Sequence, residues 1–189
     1  MTGSVTAPDR IILVGAMCSG KSTVGRLVAG RLGWGLVDFD QAIEASEGRT
    51  IAEIFRDLGE PYFRRLEAQL TTRLVDERQV VLAPGGGWVT QRDLVEQLRP
   101  ASLMVWLQVS PERAWDRHRR QATVERPLLA VEDPLAAMRA ILAEREKHYG
   151  EADAVVDTDV RDPQAVAADI IALLRRRQAA VRPPPLTSG

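Results

Sequence analysis

The sequence predicts an α/β domain in which five parallel strands are covered by helices on both faces. Short apolar, often β-branched runs alternate with stretches of helical periodicity along most of the chain, the pattern of repeated βαβ units. The first run, Arg10 to Val14, leads directly into Gly15-Ala-Met-Cys-Ser-Gly-Lys-Ser-Thr23, a complete G-x-x-x-x-G-K-[ST] phosphate-binding loop. A helical pattern opens at Ser22, and this is the strand-loop-helix context that such a loop needs.

Taken in order, residues 10–14 form the first strand, and Val24, Leu27, Val28 and Leu32 mark a helix over 22–32 that stops at Gly33. A second strand is expected at 35–38, then helices at 41–47, 51–57 and 61–76, the last with Phe63, Leu66, Leu70 and Leu74 along one stripe. Val80-Val-Leu-Ala83 places a strand at 79–83, followed by helix 90–98, strand 103–109 and helices 111–119 and 134–148. The pattern closes with strand 154–157 and helix 163–175. Residues 1–9 read as a flexible N-terminus and 10–175 as a single domain. The tail from 176 to 189, with Pro183-Pro-Pro185, has no periodicity and reads as disordered.

Composition narrows the functional class. Lys plus Arg number 25 against 26 Asp plus Glu, so the chain carries no electrostatic footprint for nucleic acid or an anionic membrane. One cysteine excludes an intramolecular disulfide, and no Cys/His spacing suits a structural zinc. No secretory signal or membrane-spanning run is evident. A cytoplasmic enzyme is expected. Only two of the 25 basic residues are lysines, and one of them, Lys21, falls on the position the loop requires.

A polyphosphate needs backbone amides converging on its oxygens, a cation for its outer phosphates and a hydroxyl for magnesium, all supplied by residues 15–23. Asp38 and Asp40 are two apart at the end of the second strand and can face one site, one serving magnesium and the other a substrate hydroxyl. Equally, they can cap the helix that begins near Gln41. Arg64 and Glu67 are helical neighbours, either a fork for a substrate carboxylate or a surface ion pair. Gly85-Gly-Gly87 follows the third strand and lets backbone approach a ligand. The basic stretch 111–134 contains Arg113, Arg117, Arg119, Arg120 and Arg126, and a mobile lid bearing Arg126 would suit phosphoryl transfer. A solvated helix end is the plainer reading of that stretch.

Together these motifs resemble the shikimate kinases: the 15–23 loop, Asp38-x-Asp40, Phe63-Arg64-x-x-Glu67, Gly85-Gly86-Gly87, Arg126-Pro-Leu-Leu129 and Glu144-Arg145-x-x-x-Tyr149. The resemblance covers about residues 10–175 and implies a three-layer α/β/α P-loop kinase fold with strand order 2-3-1-4-5. It also implies a helical substrate-binding segment at 39–70 and a lid at 117–130. ATP and Mg²⁺ would be used to phosphorylate the 3-hydroxyl of shikimate, a step of aromatic amino-acid biosynthesis, by a monomer. Under the resemblance Gly15, Cys18, Ser19, Gly20, Lys21, Ser22 and Thr23 cradle ATP. Lys21 and Arg126 stabilise the outer phosphates, and Arg119 and Pro163 sandwich adenine. Ser22 binds Mg²⁺ directly and Asp38 through water, while Asp40 orients or deprotonates the attacking hydroxyl. Arg64 and Arg145 hold the substrate carboxylate, Glu67 anchors Arg64, and Gly86 and Gly87 meet the substrate through backbone.

Two positions depart from the family pattern. Cys18 stands where the loop usually has glycine, as either a reactive thiol beside a helix N-terminus or an inert packed one. Trp88 follows the glycine triplet where a small residue is usual, and either reshapes the acceptor pocket or packs away from it. The competing readings are a gluconate-type sugar-acid kinase on the same fold and a non-catalytic nucleotide-binding module.

Overall fold

Alternation within each strand decides which side chains reach which layer. In β1 (Arg10–Val14) every residue is buried, with Ile11 and Leu13 on one face and Ile12 and Val14 on the other. The computed structural model describes residues 7–120, 129 and 131–181. Its five strands, β1, β2 (Gly35–Asp38), β3 (Val80–Ala83), β4 (Ser102–Gln108) and β5 (Ala154–Asp157), form one sheet in the order β2-β3-β1-β4-β5. Every neighbouring pair is parallel, with Ile11 opposite Val81 on one side and Leu103 on the other. The architecture expected from the sequence is therefore present.

On the Ile11 face lie α1 (Lys21–Leu32) and α7 (Pro163–Val181), which supply Val24, Val28, Ile170 and Leu174 to the core. The opposite face packs Phe39, Trp88, Leu98 and Tyr149 against Ile12, Leu82 and Met104. These come from α2 (Phe39–Glu47), a 3₁₀ turn at Trp88–Thr90, α4 (Arg92–Leu98) and α6 (Pro134–Tyr149). Ahead of α6 comes α5 (Pro111–Arg120), and α3 (Ile51–Arg73) packs against α2 and α4.

Four boundaries differ from expectation. The predicted helices 51–57 and 61–76 are the two arms of α3, which part at Gly59, where φ 78° and ψ 166° are non-helical; what differs is the end of the second arm, at Arg73. The predicted helix 90–98 is split, with the 3₁₀ turn closing the glycine loop before α4 begins. Helix α7 continues to Val181, six residues into the segment read as disordered. Arg175 to Ala180 are adequate helix formers, and the break falls only before Arg182-Pro183. At the other end Pro8 is buried and Asp9 is bonded on both sides, its N–H to Ala101 O (3.0 Å) and its carbonyl to Gln79 N–H (2.8 Å). The fixed chain thus starts before residue 10. Residues 182–189 lie outside the described residues. Among the described residues, no helix is long and apolar enough to cross a membrane.

Candidate active site

The site is built at the carboxyl edge of the sheet, where loops leaving β1, β2 and β3 converge. Gly15 (φ 146°) turns the chain out of β1, and a Cβ there would lie 2.5 Å from Leu107 O, so no side chain fits. The loop ends at Gly20, which caps α1 without a side-chain bond, leaving the first-turn amides of that helix to a ligand. Lys21 Nζ donates to Gly15 O (2.8 Å) and Ala16 O (2.9 Å), which folds it back along the loop. Ser19 is buried, and its N–H donates to Ala16 O at 3.3 Å. Cys18, Gly20, Ser22, Thr23 and Pro163 line the same cavity of about 430 Å³.

Ser22 Oγ donates to Asp38 Oδ2 at 2.5 Å. Asp38 is also the N-cap of α2, accepting from Gln41 N–H through its other oxygen at 3.4 Å, so the capping reading holds for this carboxylate. Magnesium prefers oxygen ligands and commonly takes one or two carboxylates besides substrate phosphates. The hydroxyl and carboxylate at the mouth of the loop fit that donor set, and no group of three or more His, Cys, Asp or Glu exists among the described residues to compete for it.

Asp40 sits in the first turn of α2 and lines two cavities, that of the phosphate loop and a second one bounded by Phe55, Arg64, Gly87 and Arg145. Met17, Gly85 and Gly86 are also common to both. Arg64 is gripped from two sides, by Glu67 Oε2 at 2.7 Å and Glu60 Oε1 at 2.5 Å. Burial alone would lower its pKa, but the two carboxylates outweigh burial and raise it. Glu67 is fully buried, and desolvation pushes its carboxyl up despite the opposing pull of Arg64. Gln91 Nε2 also donates to Glu67 Oε2 (2.9 Å), a contact with no signal in the sequence. The glycines are a steric requirement of this cluster. A Cβ at Gly85 would lie 2.7 Å from Glu67 Oε1, and one at Gly87 2.8 Å from Arg64 Nη1.

Two of the residues singled out in the sequence sit away from both cavities. Arg119 does not face the nucleotide cavity; its guanidinium pairs with Asp116 at 2.6 Å on the exposed side of α5. Positions 113, 117 and 120 share the cavity-facing side by helical phase, and 119 falls on the other. Arg117, which lines the same cavity as Pro163, donates to Cys18 O (3.1 Å) and to the carbonyl of Thr158. The burial that accompanies this position, with Arg113 close by, lowers its pKa. Second, Trp88 is outside the acceptor cavity. Its indole is fully buried, donates from Nε1 to Thr71 Oγ1 at 3.0 Å and meets Phe39 edge-on. Arg126 lies outside the described residues.

Fold and site define a P-loop phosphotransferase with a compact acceptor pocket bearing two arginines. Comparison with known proteins narrows this. The sequence profile described as shikimate kinase matches residues 17–175. A shikimate kinase of Symbiobacterium thermophilum is 45% identical over 168 residues, covering 88% of this chain and 97% of its own. Another, from Parasynechococcus marenigrum, is 44% identical over 164 residues, covering 87% and 85%. A shikimate kinase from Acinetobacter baumannii, solved in complex with shikimate, superposes with a TM-score of 0.84 at 35% identity, covering 90% of this chain and 95% of that one. The chain belongs to the shikimate kinase family. A gluconokinase from Sinorhizobium meliloti, at TM-score 0.62 and 20% identity, shares the fold alone.

Proposed function

We infer that this chain transfers the γ-phosphoryl group of ATP to the 3-hydroxyl of shikimate. The observation that carries the reading is the junction of the two cavities at Asp40, Gly85, Gly86 and Met17, with a phosphate loop on one side and two arginines on the other. Arg64 and Arg145 hold the substrate carboxylate, with Glu67 and Glu60 fixing the Arg64 fork. Asp40 then orients the acceptor hydroxyl and takes its proton as the hydroxyl oxygen bonds to the γ-phosphorus and the β–γ bridging bond breaks. Lys21 neutralises charge on the transferred group, and Arg126 joins it from the lid. Ser22 would hold Mg²⁺ directly and Asp38 through water, and the ion would offset the negative charge of the phosphates. In this reading Arg117, which lines the same cavity as Pro163, takes the place of Arg119 beside the adenine. Positioning and charge neutralisation carry most of the rate, because phosphoryl transfer asks for little covalent chemistry from the protein. A monomeric cytoplasmic enzyme remains part of this reading.

Purified protein assayed for ADP release with ATP·Mg²⁺ should respond to shikimate and only weakly to quinate or gluconate. Turnover with gluconate alone would replace this reading with that of a sugar-acid kinase.

A further inference from the structure

The buried phenol of Tyr149 reaches the backbone of Gly86, a residue common to the two cavities, and the proposed chemistry leaves it unused. It is the last residue of α6, four after Arg145, so both project from the same side of that helix. The ring is 1% exposed and stacks on Trp106 with centroids 5.7 Å apart. Its hydroxyl donates to Gly86 O at 2.6 Å, and the Arg145 guanidinium is near enough to act on it electrostatically. A Cβ built on Gly86 would approach Gly15 O tightly at 3.3 Å and stand in ordinary contact with Met17 N and the Tyr149 hydroxyl at 3.5 Å each, so this backbone faces both the phosphate loop and the phenol.

We propose that Tyr149 is a positioning residue that clamps the Gly85–Gly87 loop against the phosphate loop and ties that loop to Arg145. The hydroxyl works in both directions. As a donor it fixes the Gly86 carbonyl, and with it the direction of the amides on either side of the acceptor pocket. Its oxygen also attracts the Arg145 guanidinium, which grips the acceptor's carboxylate. Acceptor and phosphate donor are thereby held in one register, which in-line transfer needs, since a misplacement near 1 Å can cost about a hundredfold in rate. Burial pushes the phenol up to about 12, with Arg145 and Arg64 offsetting this in part, so the hydroxyl stays protonated at working pH. Ring stacking alone would need no hydroxyl and would leave the Gly86 carbonyl without this donor.

The inference rests on the shikimate kinase reading, and the experiment separates the two. Tyr149→Phe keeps the stacked ring and removes one oxygen. Its KM for shikimate should rise on the order of tenfold, the scale of a lost buried hydrogen bond, with KM for ATP held within about twofold. Amide exchange at Gly86, Gly87 and Trp88 should accelerate by a similar factor, while the amides of β1 keep their protection. Trp106→Phe disturbs the stack but keeps the hydroxyl, and should lower the melting temperature without moving KM for shikimate. Wild-type exchange at those three amides in Tyr149→Phe overturns the clamp, as does an equal rise in KM in Trp106→Phe. If the wild-type protein turned over no shikimate, the proposed reaction would fall while amide exchange still judged the clamp.

Discussion

Cys18 takes a left-handed backbone conformation, φ 59°, in the middle of the phosphate loop. A residue with a Cβ costs roughly 1–2 kcal/mol there, and glycine would remove that cost while giving back about 0.5–1 kcal/mol of unfolded-chain entropy. Cys18→Gly should therefore stabilise the protein by about 0.5 kcal/mol, visible as a higher urea midpoint at unchanged slope; a lower midpoint would contradict the strain argument. Glu67 supports a second prediction, in pH. Its folded-state pKa lies above the ordinary 4.5, so folding takes up a proton between those two values. The stability it contributes is complete below the ordinary value and is lost as pH rises through the raised one. Urea unfolding measured upward from pH 4.5 should show that decline flattened in Glu67→Gln, which can still accept from Arg64; parallel curves would dismiss it. At this scale the sequence was readable where chemistry is carried by spacing, as in Lys21, Ser22 and Asp38. It was silent on Trp88, because the side of the loop to which an indole turns is set by Phe39 and Thr71, both distant in the chain.

Helix α3 shows how an element positions chemistry. Its first arm brings Ile51 and Phe55 to the acceptor cavity, its second brings Phe63 and Arg64, and Gly59 sets the angle between them. The conformation at Gly59, φ 78° and ψ 166°, belongs almost exclusively to glycine. Gly59→Ala should cost about 1–3 kcal/mol of stability and should also raise KM for the acceptor while leaving KM for ATP alone. Loss of stability with both constants unchanged would show that the two arms keep their angle by other means. The break between 57 and 61 was legible in the sequence, and it falls at Gly59. Helix α5 gives the opposite lesson. The family resemblance pointed to Arg119, but the helical phase that buries Ala114 presents Arg113, Arg117 and Arg120 to the cavity. A position taken from a family pattern says little about the side of a helix on which it falls.

Across the whole molecule, the carboxyl edge of the sheet carries the chemistry and the amino edge carries a different kind of polar device. Arg10 opens β1 there at 1% exposure. Its guanidinium donates to the carbonyls of Val75 (2.5 Å), Glu77 (2.9 Å) and Leu98 (3.1 Å), the chain ends left by α3 and α4. Burial lowers its pKa, with nearby Asp9, Asp76 and Glu77 working against that shift. From sequence it reads as an ordinary polar residue at a strand start, since its partners lie 65 to 88 positions away. A buried carbonyl that loses its donor costs about 1–3 kcal/mol. Arg78 also reaches Val75 O and Glu77 O, and Ser102 reaches Leu98 O, so the loss is cushioned at each carbonyl. Arg10→Met should thus destabilise the fold by about 2–4 kcal/mol, a large share of the roughly 5–15 kcal/mol that holds a domain of this kind together. Because β1 runs from Arg10 to the phosphate loop, the substitution lies a full strand length from the reacting groups. The folded fraction should keep KM for both substrates within about twofold, checked by urea midpoint and by kinetics at low temperature. A wild-type midpoint would mean that the three carbonyls find water or other donors. A shift in KM at full folding would mean that the two edges of the sheet are mechanically coupled through β1.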